Sequence, residues 1–124
     1  RRMTLDGKRI LLVEDEAVIA FAVEDMLLDL GCEVVGPAFR LDDAVALASS
    51  AAIDAAILDV NLNDERSFAV AEILRRRGIP FLFATGYADT GVDWDGGDVA
   101  LLAKPYRKEQ IAAALDRLLG HATA

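Results

Sequence analysis

The chain has 124 residues, 54% of them hydrophobic but only 6% aromatic, and a formal net charge of −8. That length fits one domain with its own core, built mainly from Ala, Val, Leu and Ile. The acidic balance disfavours direct, sequence-independent nucleic-acid binding, which needs a basic footprint, and is compatible with metal cations or basic protein surfaces as partners.

After an N-terminal extension over residues 1–7, which starts Arg1-Arg2 rather than Met, strand and helix patterns alternate about five times. Arg9 to Val13 (RILLV) is a continuous apolar run, as expected of a strand buried on both faces. A helix is predicted from about Ala17 to Leu30, with Val18, Ile19, Val23, Met26, Leu27 and Leu30 at helical spacing and Gly31 as its stop. Cys32, the one cysteine, excludes a disulfide within the chain; it reads as a small buried hydrophobe, and a reducing, cytoplasmic setting is expected. EVVGPA is a shorter second strand ending near Pro37, and Leu41 to Ser50 a second helix whose start Asp42 or Asp43 can support.

Ala55 to Val60 (AAILDV) is the third strand, followed by a loop, NLNDERS, and a helix from about Phe68 to Arg77. Arg75 to Arg77 favour the C-terminal end of that helix, and Gly78 stops it. Ile79 to Thr85 is the fourth strand. The stretch GYADTGVDWDGGD then carries four glycines and four aspartates, so a fourth helix there is predicted to be short, poorly ordered or absent. Val99 to Ala103 is the fifth strand, Arg107 to Leu119 the last helix, and residues 121–124 a tail after a domain spanning 8–120. No apolar stretch reaches the roughly 18 residues of a membrane span, and no signal peptide is visible.

Strands separated by helices of this length predict a flavodoxin-like α/β fold: five parallel strands with helices on both faces. The strand order 2-1-3-4-5 is borrowed from known open sheets of this kind, whose ligands bind at the carboxyl ends between strands 1 and 3. Glu14 and Asp15 follow strand 1, Asp59 ends strand 3, Thr85 ends strand 4 and Lys104 follows strand 5. The topology would gather them at one edge. Clustered carboxylates repel unless a cation offsets them, and Mg²⁺ (or Mn²⁺) suits oxygen ligands, to which a backbone carbonyl near Asn61 can add. Asp59 is the carboxylate best placed to react with a phosphoryl group, with the Lys104 ammonium and the Thr85 hydroxyl on the phosphoryl oxygens.

LLVEDE, ILDV, FAT and AKP together resemble the receiver domain of two-component response regulators, over about Lys8 to Leu119. The resemblance implies Asp59 as phosphoacceptor, Glu14 and Asp15 as the acidic metal pair, Asn61 as a carbonyl ligand, Thr85 as the mobile hydroxyl, and Lys104 as the pairing lysine with a cis bond to Pro105. More narrowly, PFLFATGY resembles the motif of the "FAT GUY" subgroup, mostly stand-alone receivers paired with HWE or HisKA2-type histidine kinases. Phosphate is expected from a histidine kinase or a phosphotransfer protein, with either a monomer or a phosphorylation-dependent dimer as the expected state. No output domain is read within these 124 residues, so the effect is expected through contact with another protein or as a phosphate sink. Leu101 stands where many receivers carry Tyr or Phe, and Tyr87 is the candidate to take over part of that switch role. Gly86 to Asp98 is accordingly expected to order on phosphorylation.

Three other readings compete. An aspartate-nucleophile phosphatase of the haloacid-dehalogenase type needs a second carboxylate two residues after the nucleophile, where this chain has Asn61. A flavin or nucleotide module needs a phosphate-binding loop after strand 1, where EDEAV is acidic. A phosphorylation-independent interaction module would not require the complete Glu14, Asp15, Asp59, Thr85 and Lys104 set.

Overall fold

The computed structural model describes residues 5–86 and 92–120. In chain order the elements are β1 (Arg9–Val13), α1 (Ala17–Asp29), β2 (Glu33–Ala38), α2 (Leu41–Ser50), β3 (Ala55–Asp59), β4 (Asn61–Leu62), β5 (Glu65–Arg66), α3 (Phe68–Arg76), β6 (Phe81–Thr85), β7 (Ala100–Ala103) and α4 (Lys108–Leu118). Five of the strands form one parallel sheet in the order β2-β1-β3-β6-β7. This is the predicted flavodoxin-like order, with β6 and β7 as its fourth and fifth strands.

Alternation along the strands divides the core in two. Leu11, Val13, Ala56, Leu58 and Phe83 face α2 and α3, where Ala44, Ala48, Val70 and Leu74 meet them. Ile10, Leu12, Ile57, Leu82 and Ala84 face α1 and α4, where Val23, Leu27, Ile111 and Leu115 meet them. β3 is buried along its whole length. Helices on both sides leave it no wet face, and its residues are apolar up to Asp59. Leu5 is buried in the second cluster and the Gly7 N–H donates to the Gly31 carbonyl, so packing reaches back into the segment before β1.

Two local features were not read from the sequence. The stretch NLNDERS is not a plain loop: β4 and β5 pair antiparallel as a two-stranded hairpin, turned at Asn63 and Asp64, both at positive φ (48° and 68°). Such a turn matches strand twist and tolerates Asn and Asp, but strands of two residues leave no periodicity to read. The β1–β2 pairing also shifts register between Leu11 and Val13, where Gly36 sits at φ 100°. A Cβ there would lie 2.7 Å from the Ala38 nitrogen, which reserves the position for glycine.

Among the described residues no helix lies between β6 and β7. Residues 87–91, including Tyr87, lie outside them, as does the 121–124 tail. Over residues 92–99 the chain carries Trp94 onto the sheet instead, with its ring centroid 5.5 Å from Phe68, 6.0 Å from Phe81 and 5.9 Å from Phe83. The indole covers part of the face that a helix there would cover. Among the described residues no helix is long and apolar enough to cross a membrane.

Candidate functional site

Register decides what meets at the carboxyl edge. Val13 pairs with Leu58, so Glu14 and Asp59 leave their strands side by side. Asp59 pairs with Ala84 and Thr85 with Ala103, so Thr85 and Lys104 stand at the next level. The Lys104 N–H donates to the Thr85 carbonyl at 2.8 Å, and the Glu14 N–H to the Ala38 carbonyl at 3.0 Å. These bonds extend the ladder by one residue and fix where both side chains depart. The peptide between Lys104 and Pro105 is cis.

The Lys104 Nζ lies 2.6 Å from Glu14 Oε1 and 3.1 Å from Asp59 Oδ2. Glu14 is 2% exposed and Asp59 5%. Asp15 is half-buried, and its Oδ2 accepts the Asn63 backbone N–H at 2.9 Å. One carboxylate oxygen from each of Glu14, Asp15 and Asp59 lies within 4.8 Å of the others. Four of the predicted residues, from three strand ends, therefore share one notch.

Burial is the largest influence on Asp59, and the neighbouring Glu14 charge adds to it. Together they outweigh the Lys104 ammonium and push the Asp59 carboxyl up to about 7. Burial works against the Lys104 ammonium too, but hydrogen bonds and charge from Glu14 and Asp59 prevail and raise it. For Asp15, burial is again the largest single influence, upward. The hydrogen bonds from the Asn63 N–H and from Glu14 and Asp59 exceed it, and the net direction is down. Tyr106 is pushed up to about 12, chiefly by burial. Cys32, buried away from the notch, is pushed up to about 11 by burial, as befits a core thiol.

Three carboxylates against one ammonium leave the notch negative when ionised. Its donors are all oxygen, with neither thiolate nor imidazole in the cluster, and that set fits a hard divalent cation such as Mg²⁺ or Mn²⁺.

The other expected residues sit as follows. Thr85 ends β6 at the same edge, half-buried, one residue past the partner of Asp59. Asn61 opens β4, and its N–H points to Asp59 Oδ1 at 3.4 Å. Leu101 pairs with Phe83 but is 55% exposed, because β7 is the edge strand and no described helix covers that face. Two residues of the site were missed in the sequence. Asn63 ties the hairpin tip to Asp15, and Ser67, fully buried, donates its hydroxyl to the Asp59 carbonyl at 2.6 Å. Asn-Asp is a turn signal and could have revealed the first. A serine before an apolar helix reads as an ordinary helix cap, which hid the second.

Comparison with known proteins places this geometry. The family model described as response regulator receiver domain matches residues 10–116. The phyllosphere-induced regulator PhyR of Methylorubrum extorquens is 32% identical over 114 residues, covering 89% of this chain and 43% of PhyR. The chain spans about half the length of the curated relatives it matches. The solution structure of SdrG from Sphingomonas melonis Fr1 superposes with a TM-score of 0.81 at 46% identity, covering 91% of this chain and 97% of SdrG. The receiver domain of the Pseudomonas aeruginosa sensor histidine kinase PA1611, which has a magnesium ion coordinated in its active site cleft, superposes with a TM-score of 0.80 at 29% identity, covering 92% of this chain and 98% of that domain.

Proposed function

Because the chain belongs to the response regulator receiver domain family, we propose that it is a phosphoryl-switched signalling domain over residues 8–120, with Asp59 as the phosphoacceptor. One observation carries the reading. Asp59 is buried at a strand tip, between an ammonium that can neutralise a phosphoryl oxygen and two more carboxylates that suit a divalent cation.

In the proposed step an Asp59 carboxylate oxygen attacks the phosphorus of a phosphohistidine. The O–P bond forms as the N–P bond breaks, and the departing imidazole nitrogen recovers a proton. Lys104 offsets charge on the incoming group, and the Thr85 hydroxyl donates to it. A magnesium ion held by Glu14, Asp15 and Asp59, with the Asn61 carbonyl, would supply the remaining charge neutralisation. Asp59 titrates near neutrality when Lys104 is its main counter-charge. A bound cation favours its ionised, nucleophilic form.

The donor is a histidine kinase, of the HWE or HisKA2 type, or a phosphotransfer protein. The output is a contact with another protein or the removal of phosphate from a relay, without direct nucleic-acid binding, in a cytoplasmic monomer or phosphorylation-dependent dimer. The chain catalyses no reaction beyond its own phosphorylation and dephosphorylation. Tyr87 is proposed to contribute to the switch in place of the aromatic residue that Leu101 replaces.

Backbone NMR with Mg²⁺ and beryllofluoride, a phosphoryl mimic, tests this. Amide shifts are expected at Glu14, Asp15, Asp59, Thr85 and Lys104, and are expected to be lost in Asp59→Asn. A wild-type spectrum that does not respond would overturn the proposal.

A further inference from the structure

Ser67 occupies the position before α3 where a serine ordinarily turns its hydroxyl onto the first free N–H groups of the helix. Here it makes no such cap. The hydroxyl turns back toward the sheet and donates to the Asp59 carbonyl at 2.6 Å, with the Val60 carbonyl at 3.4 Å. The Ser67 N–H donates to the Val60 carbonyl at 3.0 Å. Ser67 is 0% exposed, and with Glu14 and Asp59 it makes up the buried polar and charged residues among those described. A buried hydroxyl that forgoes its cap to hold the carbonyl of one particular residue has a local task.

The surrounding hairpin shows what that task is. It leaves β3 at Asp59, passes Asn61, turns at Asn63 and returns to Ser67. At its base Ser67 holds the Asp59 and Val60 carbonyls. At its tip the Asn63 N–H holds Asp15 Oδ2 at 2.9 Å. The segment bearing Asn61 is thus closed onto both Asp59 and Asp15.

We infer that Ser67 is a positioning residue: through the Asp59 carbonyl it fixes the β4–β5 hairpin so that Asn61 and the Asp59 and Asp15 carboxylates are arranged before a cation arrives. The inference rests on the proposed reading of the notch as a cation and phosphoryl site. Preorganised ligands bind a cation more tightly because less order is lost on binding.

The test compares wild type with Ser67→Ala and Ser67→Gly by amide hydrogen exchange without metal and by Mg²⁺ titration followed by NMR. In folded variants, exchange at Asn61 and Asn63 is expected to speed at least about tenfold while β1, β6 and α4 keep their protection. Mg²⁺ affinity is expected to fall about tenfold. Unchanged exchange at the hairpin, or affinity within about twofold of wild type, overturns the inference while leaving Asp59 as acceptor intact. Loss of folding in both variants also overturns it, because the hydroxyl would then serve the whole fold. A wild type that binds no Mg²⁺ removes the reading of the notch, and this inference with it.

Discussion

Asp59 is buried, yet as a phosphoacceptor it must be ionised. Burial and Glu14 raise its folded pKa to about 7, above its usual 3.8, so the folded chain holds this proton more tightly than the unfolded one. That contribution to stability is complete below about pH 4 and is lost as the pH rises through about 7. Asp59→Asn stays neutral at every pH. In metal-free buffer near pH 8 it is expected to melt about 5 °C higher than wild type, with the gap closing toward pH 5. Thermal denaturation with a chelator checks this, and a variant that melts lower at pH 8 contradicts it. Lys104 has the opposite standing. Its side chain is 14% exposed and touches both Glu14 and Asp59. Lys104→Met leaves two buried carboxylates without their ammonium and is expected to cost about 3–5 kcal/mol at neutral pH, read from urea unfolding. Much of the loss should return in mild acid, where the carboxyl groups protonate; an equal cost at both pH values would contradict this.

The elements differ in how much of them the sequence discloses. RILLV, AAILD and FLFAT are legible because strands covered on both faces admit little but apolar residues. The edge site follows from them: once the strand ends are known, Glu14, Asp15, Asp59, Thr85 and Lys104 fall along one rim. The β4–β5 hairpin is not legible in the same way. Its tip is held by a bond from the Asn63 N–H to Asp15, 48 residues away, and its base by bonds from Ser67 back to the Asp59 and Val60 carbonyls, and no local pattern records those. Trp94 is a middle case. Its glycine-rich surroundings argue against a helix, but its seat against Phe68, Phe81 and Phe83 depends on the face that α3 and β6 leave open. Arg66 reinforces that seat, lying 5.8 Å over the Phe68 ring and pairing with Asp93 at 3.3 Å. Trp94→Ala is expected to destabilise the protein by about 2 kcal/mol, the cost of emptying a half-buried aromatic site. A shift in the denaturation midpoint worth less than about 0.5 kcal/mol would mean the indole adds no packing.

At the scale of the whole molecule, site and fold are linked through charge. A chain of net charge −8 that also concentrates three carboxylates in one notch gains stability from any cation that enters it. Binding to the folded state alone adds RT ln(1 + [L]/Kd), about 2.7 kcal/mol at a hundredfold excess of Mg²⁺ over its Kd. The melting temperature should therefore climb with Mg²⁺ in wild type and climb less in Asp15→Asn; calorimetry that finds the same rise in both would place the ion elsewhere. The most direct measurement of the central claim is chemical trapping of the phosphorylated residue. The protein is incubated with Mg²⁺ and acetyl phosphate, reduced with borohydride, which converts an aspartyl phosphate to homoserine, and mapped by peptide mass spectrometry. The account predicts homoserine at position 59, dependent on Mg²⁺. Unreduced Asp59 with the label at another carboxylate, or no label at all, would contradict it.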